Sequence, residues 1–481
     1  MNVARPAHLT RSLLAVLALA SSCARAGEGR TADAPPLPAG ALEPTAVAEP
    51  SARAVAAAPR IPALAAATLA DDGIELFEAP TVVQLDGFTD VFAAPRIDAQ
   101  RLGVIAMGER VAAHEPGSTD GCAAGWRAIE PIGFICAEVT PTRLAASSTV
   151  LPRLPRGAVV PGTYGKLDAE RTRIYDALDR VAAGDEGRRP DASLTVRRLA
   201  RVSHGGRSYW RTRHGYVPAQ QIRKLDSSRF HGVAVGDDLA QPRVWARFRG
   251  DDGNIALRAS ASAGSKVVAR MKARRDGRVL ETSDDGRFVR VALGDGVEGW
   301  AARDDVRIAR RTAAPADIGA DERWLDIDVA EQVLVAYVGA RPVYATLVST
   351  GRRTHDTPLG SFRIERKLAE RTMSSRPGDD DPYAVDRVPW TSYFIGSFAL
   401  HAAYWHGSFG ERKSHGCVNL APIDARQLYG WTGPGVQPGW SETFATAEQP
   451  GSLVRIHDGA AIADGTQVVL AATADLGEVE G

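Results

Sequence analysis

Three separate stretches of this chain close on the same pattern, and that pattern leaves few folds open. "GWRAIEPIGFICAEV" (125–139), "YWRTRHGYVPAQQI" (209–222) and "FVRVALGDGVEGWAARDDV" (288–306) each carry an aromatic residue, alternating apolar positions and a glycine turn. A glycine–aromatic–apolar step and a strand-like ending follow in each. Alternation puts one face in a core and the other in solvent, so the pattern predicts half-buried strands, with the glycine marking a hairpin. The third copy adds an upstream half, "IALRASASAGSKVVARM", which reads as strand, polar loop and strand.

The last third is also β-rich, with a different layout. "WLDIDVAEQVLVAYVGARPVYATLVSTG" (324–351) reads as two or three strands with turns at Glu331 and at Gly339–Pro342. "HDTPLGSFRIERK" turns at Pro358 and Gly360 into a strand, and "SYFIGSFALHA" is a strand that delivers His401 near its end. "LAPIDARQLYGW" predicts a short helix stopped by Gly430 and Pro434, and "SLVRIHD" (452–458) a closing strand.

The 481 residues are enough for several domains, and 58 basic against 58 acidic residues give no net charge. That balance offers no support for nucleic-acid binding, which leaves a basic footprint. At the N-terminus, Arg5, His8 and Arg11 precede a short apolar run from Leu13 to Ala20 and then small residues. This predicts a secretory signal peptide over 1–23, too short to span a bilayer. Ala20-Ser21-Ser22-Cys23 resembles a bacterial lipoprotein box, so Cys23 is expected to be lipidated and to tether an exported, periplasmic chain to a membrane. The rival is ordinary cleavage after Ala24-Arg25-Ala26. Residues 24–72 are Ala/Pro-rich without periodicity and read as a disordered spacer.

Cysteine usage fits export. Cys122 precedes one predicted strand and Cys136 ends the next, a spacing that suits a cross-strand disulfide in an oxidising compartment; two buried thiols are the alternative. A loop of that size stabilises by about 3 kcal/mol in the chain-entropy account. Cys417 is left over, and an odd thiol in an exported chain invites a reactive role.

Three of the ten histidines, His401, His406 and His415, lie within the twenty residues that also hold Cys417. A thiolate is the nucleophilic form of cysteine, and a neighbouring imidazole can take its proton. Gly416 lets a substrate carbonyl approach the backbone, whose N–H groups can hold an oxyanion, while Ser414 and His415 can order the loop. His401 precedes Cys417 by sixteen positions, so the two meet only through tertiary folding. The residues alone thus point to a Cys/His acyl-transfer site.

"LHAAYWHGSFGERKSHGCVNL", with the upstream "STG…TPLGSFRI" and "VPWTSYF", resembles the catalytic-domain signature of the L,D-transpeptidase family over roughly residues 320–457. The three repeats resemble bacterial SH3-like modules. Together they imply a mainly β, multi-domain chain. SH3-like modules over 73–145, 146–228 and 229–312 would precede a β-sandwich-type catalytic domain over 320–458 with one short helix, and a tail over 459–481.

By position, the resemblance makes Cys417 the nucleophile and His401 the general acid/base, with the Ala402 carbonyl orienting the imidazole. Ser414, His415, Gly416 and Asn419 line the oxyanion and substrate pocket. Asn419 stands where many members have Arg, and His406 is an extra residue expected to orient its neighbours. The implied substrate is a peptidoglycan stem peptide. Cys417 attacks the third-residue carbonyl, D-alanine leaves, and an amine resolves the thioester as a 3→3 cross-link or a protein attachment. Water would make the enzyme an L,D-carboxypeptidase. No cofactor or metal is implied.

Competing readings are a zinc site built from His401, His406, His415 and Cys417, a papain-like wall endopeptidase, and a silent wall-binding protein. Zinc leaves the Ser-His-Gly-Cys and Thr-Pro-x-Gly matches unexplained, and the papain-like order of Cys before His is reversed here. Intact His401 and Cys417 argue against silence. Trp126, Trp210 and Trp300 read as core aromatics, and Asp379–Asp381 as a solvated loop able to act as a flap.

Overall fold

The strands of the C-terminal part, in chain order, are β1 (Arg323–Asp328), β2 (Val333–Val338), β3 (Arg341–Ser349), β4 (Gly360–Arg363) and β5 (Arg366–Ser374). They continue as β6 (Tyr383–Ile395), β7 (Phe398–Ala402), β8 (Val418–Leu420), β9 (Trp440–Phe444) and β10 (Leu453–His457). They belong to a computed structural model that describes residues 80–247, 253–375 and 382–459. The predicted signal peptide, Cys23, the 24–72 spacer, Asp379–Asp381 and residues 460–481 of the tail lie outside those residues.

β2 is the apolar run VLVAYV, buried along most of its length, as expected of a central strand covered on both faces. It pairs antiparallel with β1 and β3; β10 then runs parallel to β1 and β4 antiparallel to β10. The turn expected at Glu331 forms because Asp328 Oδ1 accepts the N–H groups of Ala330 and Glu331. At the next turn Gly339 has φ 53°, and a Cβ there would meet the Ala320 carbonyl at 2.2 Å.

A second sheet runs β9–β5–β6–β7–β8, and β8 also pairs with the end of β3, joining the two sheets. Both sheets feed one core, in which Leu325, Ile327 and Leu334 face Trp390, Phe394, Leu400 and Val418. The Pro422–Trp431 helix closes that core with Ala425, Leu428 and Tyr429. It carries Pro at its first position and runs through Gly430 to Trp431, slightly beyond the predicted stop. The carbonyls beyond its end, those of Thr432 and Pro434, accept hydrogen bonds from the fully buried Lys367 at 2.6 and 3.0 Å. Burial pulls this ammonium down to about 7, with the Arg323 charge adding to the effect.

Asp424, in the helix's first turn, is fully buried and accepts hydrogen bonds from Tyr344 Oη at 2.7 Å, Thr346 Oγ1 at 2.6 Å and the Gly232 N–H at 3.0 Å. Asp424→Ala strands three buried donors, so it is expected to lower the unfolding free energy by about 3 kcal/mol or more. Urea titration checks this, and a loss under about 1 kcal/mol would contradict the network's importance.

The upstream regions are hydrogen-bonded into these sheets rather than strung before them. Residues 81–141 form short antiparallel strands, with Cys122 and Cys136 joined as a disulfide at Cα–Cα 5.8 Å. Their strand Arg101–Ile105 pairs with β9, and Trp440 joins Val83, Leu85, Val91 and Ile105 in one core. Gly103 is required at that seam, because a Cβ would meet the Trp440 ring and the Glu442 carbonyl at 2.4 Å.

In the middle region Ser193–Arg198 pairs parallel with β6 through Tyr383–Val385. The third region is a seven-stranded antiparallel sheet between Arg243 and Ala309. Sequence reading treats the modules as separate, whereas the structure satisfies the open edges of β9 and β6 with strands from the first two. Trp126 is buried, but Trp210 and Trp300 are only half-buried, with the Arg198 guanidinium 4.5 Å over the Trp210 ring.

Candidate active site

β7 and β8 lie side by side, parallel, in the register Leu400↔Val418, His401↔Asn419 and Ala402↔Leu420. Paired residues share a face and side chains alternate, so His401, Asn419 and Cys417, two residues before Asn419, project on one side. Strand spacing of about 4.8 Å with a two-residue offset brings a thiol within reach of an imidazole. Cys417 packs against Leu368, Tyr393 and Ala399, and its Sγ lies 3.7 Å from the Ser397 carbonyl.

His401 is buried, with Nδ1 3.3 Å from the Ala402 carbonyl and its ring stacked on Trp405 at 5.7 Å. A carbonyl can only accept, so Nδ1 carries the proton and Nε2 is the basic nitrogen. Burial pushes the imidazole down to about 4 and the Cys417 thiol up to about 11, the latter against a hydrogen bond from the Ala399 N–H. Both groups are therefore neutral at rest, a thiol on one strand end and an unprotonated imidazole on the neighbouring strand, so any attack by the sulfur would have to include its deprotonation.

His406 lies beside this pair. Its Nδ1 accepts the Ser408 N–H at 3.1 Å, and its Nε2 lies 2.9 Å from the Asn419 amide. Asn419 Nδ2 is the atom placed there; with Nδ1 accepting, a neutral His406 carries its proton on Nε2, so the hydrogen-bond network calls for the amide O and N to be exchanged. Burial, aided by Lys413, His401 and Arg274, pushes His406 down to about 3.

Both histidines thus stay neutral when folded, while in the unfolded chain they protonate near 6.5. Below that pH the unfolded state binds more protons, and stability falls as pH drops toward 4. The expected result is a melting temperature that declines over this window, with a shallower slope in His406→Gln. An identical slope in the variant would contradict the assignment.

The loop before Cys417 is tied from several directions. Ser414 Oγ donates to the Cys417 carbonyl at 2.5 Å and accepts the Gly416 N–H at 3.1 Å. That N–H is therefore engaged within the loop itself. Glycine is still required, because φ is 114° and a Cβ would meet the Phe398 ring at 2.5 Å. Thr357 Oγ1 donates to the Gly416 carbonyl at 2.7 Å, and Gly351 bridges to Ser414, which brings "STG" and "TPLG" to Cys417. His415 contacts Arg352 through Nε2, and its ring stacks on Tyr383 at 4.7 Å.

Glu411 of the same loop is held by Nε and Nη2 of Arg247, each at 2.6 Å, and by Arg307 at 3.3 Å. Sequence reading missed Arg352, Tyr383, Trp405, Arg247 and Arg307 as partners of the site, since none carries a local signal. Among the described residues, no three His, Cys, Asp or Glu side chains are grouped to hold a metal.

Residues 322–468 match the family model of the YkuD L,D-transpeptidase catalytic domain. This segment belongs to the L,D-transpeptidase catalytic-domain family. The L,D-transpeptidase segment is also similar to "Putative L,D-transpeptidase YciB" of Bacillus subtilis (strain 168), 28% identical over 126 residues. That match covers 24% of this chain and 62% of the relative, so the chain spans less than two thirds of it.

Among solved structures, an L,D-transpeptidase from Stackebrandtia nassauensis is 25% identical, covering 30% of this chain and 58% of that one, at TM-score 0.22. One from Mycobacterium smegmatis is 16% identical, covering 55% and 99%, at TM-score 0.24. At such TM-scores the family match, not the superposition, identifies the L,D-transpeptidase segment.

Proposed function

We propose that this chain is a peptidoglycan L,D-transpeptidase in which Cys417 is the acyl-carrying nucleophile. The main support is that His401 and Cys417 share one sheet face, within the segment that matches the family. His401 Nε2 takes the thiol proton as sulfur attacks the third-residue carbonyl of a tetrapeptide stem. The imidazolium returns the proton to the departing amine, so D-alanine leaves and a thioester remains. An incoming amine, deprotonated by His401, then resolves the thioester. Resolution by another stem gives a 3→3 cross-link, by a protein lysine an attachment, and by water a shortened stem.

Incubating the full chain with tetrapeptide-stem muropeptides tests this. Free D-alanine together with 3→3 dimers is the expected outcome. Tripeptide products alone would make it a carboxypeptidase, and no D-alanine at all would end the proposal. Export, lipidation at Cys23 and wall contacts by the β-modules fit the same role. Labelling with a radioactive fatty acid checks the anchor.

A further inference from the structure

Arg274 differs from Arg247 and Arg307, the two arginines that tie the seven-stranded region to the loop before Cys417. Arg247 and Arg307, from the same sheet, end on Glu411. Arg274 ends on no acid among the described residues, and its Nε is buried without a hydrogen-bond partner. It occupies the turn between Val267–Lys272 and Asp276–Thr282 with φ 60°, a left-handed conformation unfavourable for a side chain of this kind.

That conformation delivers the guanidinium to the L,D-transpeptidase loop. A Cβ on Gly407 would meet Arg274 Nη2 at 3.7 Å, with Ser228 at 3.9 Å. Burial alone lowers the guanidinium's affinity for its proton, with no carboxylate acting in the other direction. Lys413, in the loop that follows His406, is exposed and likewise without an acid partner among the described residues. His406 in turn touches Asn419, the register partner of His401. An unpaired guanidinium therefore stands at Gly407, next to His406, at one end of the row formed by His406, Asn419 and His401. A half-buried charge on a strained backbone costs stability unless an anion arrives from outside.

We propose that Arg274 and Lys413 form a carboxylate-binding subsite at the His406 end of the site, with the guanidinium supplied by the seven-stranded region. The ligand is a peptide carboxylate, and guanidinium geometry suits bidentate capture. Under the proposed function, on which this subsite rests, a tetrapeptide stem has two candidates: the terminal carboxylate of the fourth residue and the side-chain carboxylate of the third. Holding either would set the register of the scissile carbonyl. It would also take up the recognition role left open by Asn419.

The test is calorimetry on the full chain carrying Cys417→Ala, with the free-acid tetrapeptide, its C-terminal amide and its third-residue side-chain amide. Adding Arg274→Gln is expected to weaken the free acid about tenfold. Arg274→Lys should recover part of the loss, and Lys413→Gln should cause a smaller one. The loss should vanish for one amide, which identifies the carboxylate. Equal affinity with and without Arg274→Gln, or an equal loss on all three peptides, overturns the subsite, as does failure of the parent to bind any of them. D-alanine release by the wild-type chain is measured separately. Binding that depends on Arg274 without release would sink the proposed reaction alone, and release with unaltered binding would sink the subsite alone. Melting curves serve as the folding control, and Arg274→Lys stands in should Arg274→Gln not fold.

Discussion

Replacing Cys417 by alanine is expected to abolish D-alanine release from tetrapeptide stems, a loss on the order of a million-fold if the residual rate follows other nucleophile deletions. Among the described residues no other thiol can substitute, because Cys122 and Cys136 are bonded to each other. The side chain is half-buried against Leu368, Tyr393 and Ala399, so the variant should fold with only a small drop in melting temperature. Chromatographic quantification of D-alanine decides the matter, and release at even a tenth of the parental rate would remove Cys417 from the chemistry.

His401→Gln should lower kcat/KM by about a hundred- to ten-thousand-fold at neutral pH, the usual contribution of a positioned general base. The physical reason is the neutral resting pair. With the thiol raised to about 11 and no preformed thiolate, attack depends on a base in contact at that moment. In the parent, activity should persist well below pH 6.5 and fall only as His401 protonates near 4. The variant should lack that acid limb. A pH profile with a midpoint near 6.5 in the parent, or an unchanged rate in His401→Gln, would contradict the assignment.

Much of the site was legible because its information is local. Ser-His-Gly-Cys and the upstream histidine stand out by residue type, and the strands of 324–351 declare themselves by continuous apolar runs such as VLVAYV. Period-two alternation announces a strand but not its neighbour, so the pairing of β9 with Arg101–Ile105 could not be read. Arg274 was invisible for the same reason: nothing near it signals a partner more than a hundred residues away at Gly407. The engagement of the Gly416 N–H by Ser414 also escaped, since it depends on a side-chain rotamer rather than on spacing.

The ladder between Arg101–Ile105 and β9 bears on where the enzyme can be cut. Cutting out residues 322–468, the span of the family match, as a separate fragment would leave β9 with a bare hydrogen-bonding edge and Trp440 stripped of its apolar neighbours. A minimal catalytic fragment would inherit a self-associating flank. An insertion or deletion near residue 103 would likewise be felt at the far end of the chain. The 81–141 region and the family-matched segment would therefore be gained or lost in evolution as a single cassette.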